Sequence, residues 1–368
     1  MHNKHVNKLR EYFYNKDAAL HKTVIEADKK YTPLNMADRN AVFQIEINDE
    51  ILHQWAQKAV HGGHFSDLHQ EDVDIKASNK WLSNGDLYAE TEGYLLAIQD
   101  RVLPTRNYKK YILNTPHTED KCRRCGQNGE TIEHILNVCS TLAPTKYTIR
   151  HDNVAKIVHQ NLAVKHHLLE QKCPYFKYSP EAVLESNTHK LMWNRSIITD
   201  KAIQHNRPDI ILTIKNEMIT YLIDIAVPWN RNLSNTHNRK IQKYSELASE
   251  IKRVWRQREV HTIPVVLSST GLIPKKLHKS LQSLGLQQYL YMELQKASIL
   301  QTCHLVRNFL HHSQEAEEFW KTTISNSKFK VRAPREASSF IMQLELLRVS
   351  YPIVEQQLAG EVHFRLKR

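Results

Sequence analysis

The chain has 368 residues, enough for two or three domains with a proper core. It is 41% hydrophobic and 24% charged, with only 9 glycines and no clear repeat, which excludes a low-complexity or repeat protein. A formal net charge of +12 and 22 histidines favour a polyanionic partner, because basic side chains displace the counterions condensed on nucleic acid. No apolar stretch is long enough for a membrane span, and the basic, polar start of the chain does not read as a signal peptide. Five cysteines, three of them between positions 122 and 139, argue against a disulfide scaffold and for a metal site in a reducing compartment.

Residues 1–115 read as a helical region. Val6, Leu9 and Phe13 recur at helical spacing. A second helix is expected to start at Asn48, to bury Ile51, Leu52, Trp55, Ala59 and Val60, and to stop at Gly62 and Gly63. A third is expected from an Asp86 cap to Pro104, with Tyr94, Leu95, Ile98 and Val102 inward.

Residues 116–170 hold the cysteine cluster and a following helix whose apolar positions are Ile149, Val154, Ile157, Val158 and Leu162. Cys122 and Cys125 are two residues apart, and His134 and Cys139 follow with four residues between them. Three thiolates and one imidazole close a tetrahedron around Zn²⁺ without an open position, which is the mark of a structural site. The second pair is expected on a short helix that brings both ligands to one side. Lys121, Arg123 and Arg124 flank the first pair and suit phosphate contact, unless the knuckle only staples the fold.

A connector rich in proline and tyrosine leads into residues 175–312, where the pattern turns to strands. Leu191, Trp193, Ile197 and Ile198 come first, then residues 210–214, 219–227 and 263–267. A helix is expected over 236–258, with Ile241, Tyr244, Ala248, Ile251 and Trp255 as its buried stripe, and more helix around 275–312 and 337–348. The overall class is α/β (α+β). Residues 313–368 are expected to form a helical tail.

Residues 207–228 read as a hairpin, because 215–218 is their only polar, turn-forming stretch. A turn centred between Asn216 and Glu217 brings Asp209 opposite Asp224, with Cβ atoms about 5 Å apart on one face of the sheet. Two carboxylates that close repel unless one is protonated or a cation lies between them, and hard oxygen ligands suit Mg²⁺ or Mn²⁺. A slip of one residue would separate them. Lys240 and Lys243 border the apolar stripe of the next helix, placed either to stabilise a charged transition state or simply to snorkel.

These residues together resemble the C-terminal half of site-specific non-LTR retrotransposon proteins that carry a restriction-like endonuclease. The knuckle is matched by Cys122, Cys125, His134 and Cys139, and the acidic pair of the PD-(D/E)XK type by Pro208-Asp209 and Asp224. The helix lysines are matched by Lys240 and Lys243, with Tyr244 just after, and the linker motif by Leu103-Pro104-Thr105-Arg106. The resemblance spans roughly residues 85–310 in the right order. It implies a restriction-endonuclease-like core preceded by a helical region and a zinc knuckle. It implies a Mg²⁺- or Mn²⁺-dependent enzyme that nicks chromosomal DNA, a nuclear and also cytoplasmic location, and element RNA and a separate reverse transcriptase as partners. Asp209 and Asp224 would hold the divalent metal, Lys240 and Lys243 would act in catalysis, and His205 and Arg207 could touch phosphate. The usual nuclease lysine two residues after the second acid is replaced by Ala226. No reverse-transcriptase motif with paired aspartates is found, so a detached C-terminal part without polymerase activity is expected. The alternative is a co-opted remnant that binds nucleic acid without cutting it.

Overall fold

A computed structural model describes residues 53–311 apart from positions 55 and 59. The chain divides after Gly62 into two compact units, and the second, from Gly63, carries everything that follows. The expectations on Val6, Leu9 and Phe13, on Asn48, Ile51, Leu52, Trp55 and Ala59, and on residues 313–368 lie outside the described residues.

Five helices come first: α1 (Gly63–Leu68), α2 (Ile75–Asn79), α3 (Trp81–Asn84), α4 (Ala89–Gln99) and α5 (Arg106–Tyr111). Two short π-helical turns, His134–Val138 and Ala143–Tyr147, lead into α6 (Thr148–Lys165). Strands β1 (Val183–Glu185), β2 (His189–Trp193), β3 (Ile210–Ile214) and β4 (Ile219–Ala226) are followed by α7 (Leu233–Lys243), α8 (Ser245–Val254) and β5 (Glu259–Val266). Helices α9 (Lys275–Ser283) and α10 (Leu290–His311) close the described part. The class is therefore mixed α/β. Among the described residues no helix is long and apolar enough to cross a membrane.

One mixed sheet runs in the order β1-β2-β3-β4-β5. The first four strands are antiparallel, and β5 lies parallel to β4 after the α7–α8 crossover. Strands β3 and β4 are interior and carry nearly continuous apolar runs, as strands covered on both faces do. On one face Leu191, Ile210, Leu212, Ile223, Ile225 and Val265 pack against Val154, Ile157, Val158 and Leu162 of α6 and against α9 and α10. On the other, Met192, Ile211 and Leu222 meet Tyr244, Leu247 and Ile251. A third cluster joins Trp81, Leu95, Ile98 and Leu103 to Cys122, Leu136 and Cys139 and to Val306 and Phe309 of α10. The knuckle is thus part of a core that also holds α4 and α10.

Several local expectations need correction. Helix α4 starts at Ala89 and ends at Gln99, because Asp86 (φ 48°) and Arg101 (φ 59°) lie in the left-handed region and break the winding at both ends. The expected helix over 236–258 is two helices that meet at Tyr244. Ile241, Ile149 and Ile198 are exposed among the described residues, none of which covers their side of the chain. Ile197 and Ile198 belong to no strand, and the short β1 was not expected.

His159 is wholly buried in α6, hydrogen-bonded through Nδ1 to the Tyr178 hydroxyl (2.8 Å) and edge-on to Trp193. Burial lowers its pKa to about 4. The unfolded chain, with an ordinary histidine near 6.5, binds the extra proton first. Its stabilising contribution is therefore complete above that value and is lost as pH falls toward 4. Urea unfolding of His159→Gln should show about 2 kcal/mol less loss than the native chain between pH 7.5 and pH 5. Parallel acid limbs for the two proteins would refute this.

Candidate metal centres

The knuckle begins with a tight reversal. The Cys122 N–H donates to the Asn128 carbonyl (2.8 Å), and the Gly126 N–H donates to the Cys122 carbonyl (2.8 Å). Gly126 sits at φ 67°, a conformation that disfavours any side chain. His134 and Cys139 flank one π turn, closed by the Cys139 N–H on the His134 carbonyl at 2.9 Å. At roughly 100° per residue an α-helix would turn these two ligands about 140° apart. The wider π winding brings positions five apart back to one side, which explains the four-residue spacing.

The ligand atoms of Cys122, Cys125, His134 and Cys139 all lie within 4.8 Å of one another. Cys122 Sγ is 3.9 Å from Cys139 Sγ, and Cys125 Sγ is 3.3 Å from His134 Nε2. Regular tetrahedral zinc predicts edges of about 3.8 Å between sulfurs and about 3.5 Å between sulfur and nitrogen. Burial pushes the Cys122 thiol up to about 11, so a thiolate there needs a cation. These four residues fit a metal such as zinc, and they are the one cluster of three or more such ligands among the described residues.

The basic residues around the knuckle divide in two. The Arg123 guanidinium grips the fully buried Glu130 through Nε (2.9 Å) and Nη2 (2.6 Å), and its N–H donates to the same carboxylate. Arg123 is thereby committed inward, which composition and spacing did not reveal. Lys121 donates to the Gln127 carbonyl (3.1 Å), and Arg124 is exposed. The Leu103-Pro104-Thr105-Arg106 motif buttresses the knuckle. Leu103 is buried beneath it, Thr105 caps α5, and Arg106 donates its N–H to Glu130 (2.9 Å) and its guanidinium to the Lys121 carbonyl (3.1 Å).

The acidic pair lies at one end of β3 and β4. Every residue pair between them, from Ile214↔Ile219 to Ile210↔Ile223, follows the expected register. One step further out, that register sets Asp209 opposite Asp224. The Asp224 side chain is 2% exposed, with the Lys240 ammonium against Oδ2 and Lys243 3.6 Å from Oδ1. The Tyr244 hydroxyl donates to Oδ1 at 2.5 Å and accepts from Lys243 at 2.8 Å. Burial, with the Asp224 charge beside it, holds that phenol far above its ordinary range. Ala226 is half-buried against Leu68 and Leu233, so an ammonium reaches the acids from α7 rather than from β4.

Asp209 Oδ2 accepts from the Ile225 N–H at 2.6 Å and from His151 Nε2 at 3.0 Å. Burial alone would raise this carboxyl, but the His151 hydrogen bond and charge outweigh it and lower it. His151 is in turn raised to about 10, since Asp152 and Asp209 outweigh the burial that lowers it. His151 went unnoticed in the sequence. Its only signal was an ionisable His151-Asp152 pair at the start of an amphipathic helix. Arg207 donates to the Asn194 carbonyl (3.1 Å), and its own carbonyl is 3.2 Å from the Tyr244 hydroxyl, so it borders the pair. His205 is exposed on the preceding loop.

Buried Arg150 ties the two centres together. It reaches the Leu136 carbonyl in the knuckle (2.8 Å), the Val227 carbonyl just after β4 (3.4 Å) and Thr302 of α10 (3.3 Å). No family model matches the sequence, and no curated protein matches it either.

Proposed function

We propose that this chain is a divalent-metal-dependent DNA endonuclease with a restriction-like core, the C-terminal part of a site-specific non-LTR retrotransposon protein. The observation that carries this reading is the convergence on one sheet end of Asp209, Asp224, Lys240 and Lys243. The donor set fits a hard cation: two carboxylates on adjacent strands, one of them almost wholly buried. Mg²⁺ or Mn²⁺ bound there would supply an activated water and charge stabilisation at a phosphate. Asp209 and Asp224 hold the ion, Lys240 steadies charge developing on the phosphate, and Lys243 supports the Tyr244 hydroxyl that orients Asp224. Zn²⁺ folds the knuckle. DNA is the substrate, element RNA and a separate reverse transcriptase are the further partners, and the nucleus is the site of action.

Supercoiled plasmid incubated with the zinc-loaded chain tests this, a nick converting it to the open circle. Nicking is expected with Mg²⁺ or Mn²⁺ and none when the divalent metal is left out or with Asp224→Ala. A folded protein that leaves plasmid intact in both metals would remove the enzyme reading. The second reading, a binding remnant without cleavage, is favoured by one contact: the Lys240 ammonium lies against Asp224 Oδ2, an oxygen a catalytic cation would need.

The two arginines beside Cys122 and Cys125 are expected to behave differently. Arg124→Ala should lower the slope of log affinity against log salt by about one, as losing one phosphate contact does. Arg123→Ala should instead destabilise the fold by about 3 kcal/mol or more, because it strands the buried Glu130. A salt slope that changes only with Arg123 would reverse the assignment.

A further inference from the structure

We infer that His151 is a positioning residue of the acidic centre, holding one oxygen of Asp209 so that the other is free for a cation. The inference rests on the reading of Asp209 and Asp224 as cation ligands. Asp209 stands just outside the start of β3, where one backbone neighbour alone would leave its side chain several rotamers. Two donors from different elements remove that freedom at Oδ2: the Ile225 N–H of β4 and His151 Nε2 in the first turn of α6. Asp152 Oδ1 takes His151 Nδ1 at 2.9 Å and sets the ring plane. Helix α6 is itself anchored by wholly buried Val154, Ile157 and Val158, so the imidazole is presented from a rigid support.

The matching device on the other acid is Tyr244, which occupies Asp224 Oδ1. Asp209 is therefore tethered by Oδ2 with Oδ1 left for an ion, whereas Asp224 is held by Tyr244 at Oδ1 and would share Oδ2 between an ion and the Lys240 ammonium. The His151–Asp209 pair is largely shielded from solvent, so it adds to stability as well as fixing the carboxylate. Its effect on a metal seat is separate, because outer partners that orient ligands typically change metal affinity by about 10–100-fold.

Mn²⁺ titration of the full zinc-loaded chain, followed by electron paramagnetic resonance, tests the inference independently of cleavage. His151→Ala is expected to weaken Mn²⁺ binding about 10–100-fold in a chain that still melts cooperatively. His151→Gln, which keeps an N–H donor at similar reach, is expected to restore most of the affinity. In nicking assays the metal concentration for half-maximal rate should rise in His151→Ala while the saturated rate changes far less. Equal Mn²⁺ affinity in the native and His151→Ala proteins would overturn the inference while leaving the acidic pair standing. Equal losses in the Ala and Gln variants, together with a lowered melting temperature, would reduce His151 to a structural role. A native chain that binds no Mn²⁺ would remove the acidic pair as a cation site, and this inference with it.

Discussion

Asp224→Asn is expected to abolish metal-dependent nicking, by on the order of a thousandfold or more, while the chain remains folded. Asparagine keeps an oxygen for the Tyr244 hydroxyl and preserves the shape of a side chain that is 2% exposed. What it removes is the negative charge. Both variants deprive the largely buried Lys240 ammonium of its counter-charge, at a cost of about 3–5 kcal/mol, and Asp224→Ala is the harsher because it also removes the acceptor of the Tyr244 hydroxyl and leaves a void. The asparagine variant therefore separates chemistry from folding, and its melting curve shows which one has changed. Lys240→Met discriminates further. As a catalytic cation, Lys240 should take most of the activity with it. As a mere neutraliser of Asp224, its removal should tighten Mn²⁺ binding. Nicking that survives in Asp224→Asn at undiminished rate would detach the activity from this sheet end.

Removing the knuckle metal is expected to unfold far more than the knuckle. Cys122 and Cys139 are buried in the same cluster as Leu103, Leu136 and Phe309, and Arg150 joins that cluster to the end of β4. Structural zinc contributes on the order of 10 kcal/mol to small domains, comparable with the roughly 5–15 kcal/mol that holds a whole domain together. Chelation, or Cys139→Ser, should therefore abolish cooperative melting of the unit that contains the sheet. Because a buried thiol must lose its proton to bind, metal uptake should release protons and weaken as pH falls. A stripped protein that melts at an unchanged temperature would show that the four ligands need no ion.

The hairpin was legible because two facts about it are local. Its only turn-forming residues are those at 215–218, and a two-residue side-chain period leaves no freedom once the turn is placed. Lys240 and Lys243 were legible as residues beside an apolar stripe, although spacing could not say that both ammoniums turn toward Asp224. The four candidate metal ligands were legible from identity and spacing. The π winding that makes the spacing work was not, because a short helix of either kind presents the same letters.

What sequence alone determined, then, is whatever depends on neighbours along the chain: the knuckle, the strand register and the opposition of Asp209 to Asp224. Tertiary structure decided what depends on approach from afar. His151 meets Asp209 across 58 positions, Arg123 turns inward because Glu130 is buried beneath it, and Ile149, Ile198 and Ile241 stay exposed because none of the described residues packs over them. Periodicity records that a face is apolar or charged, and only the packed chain specifies which partner that face receives.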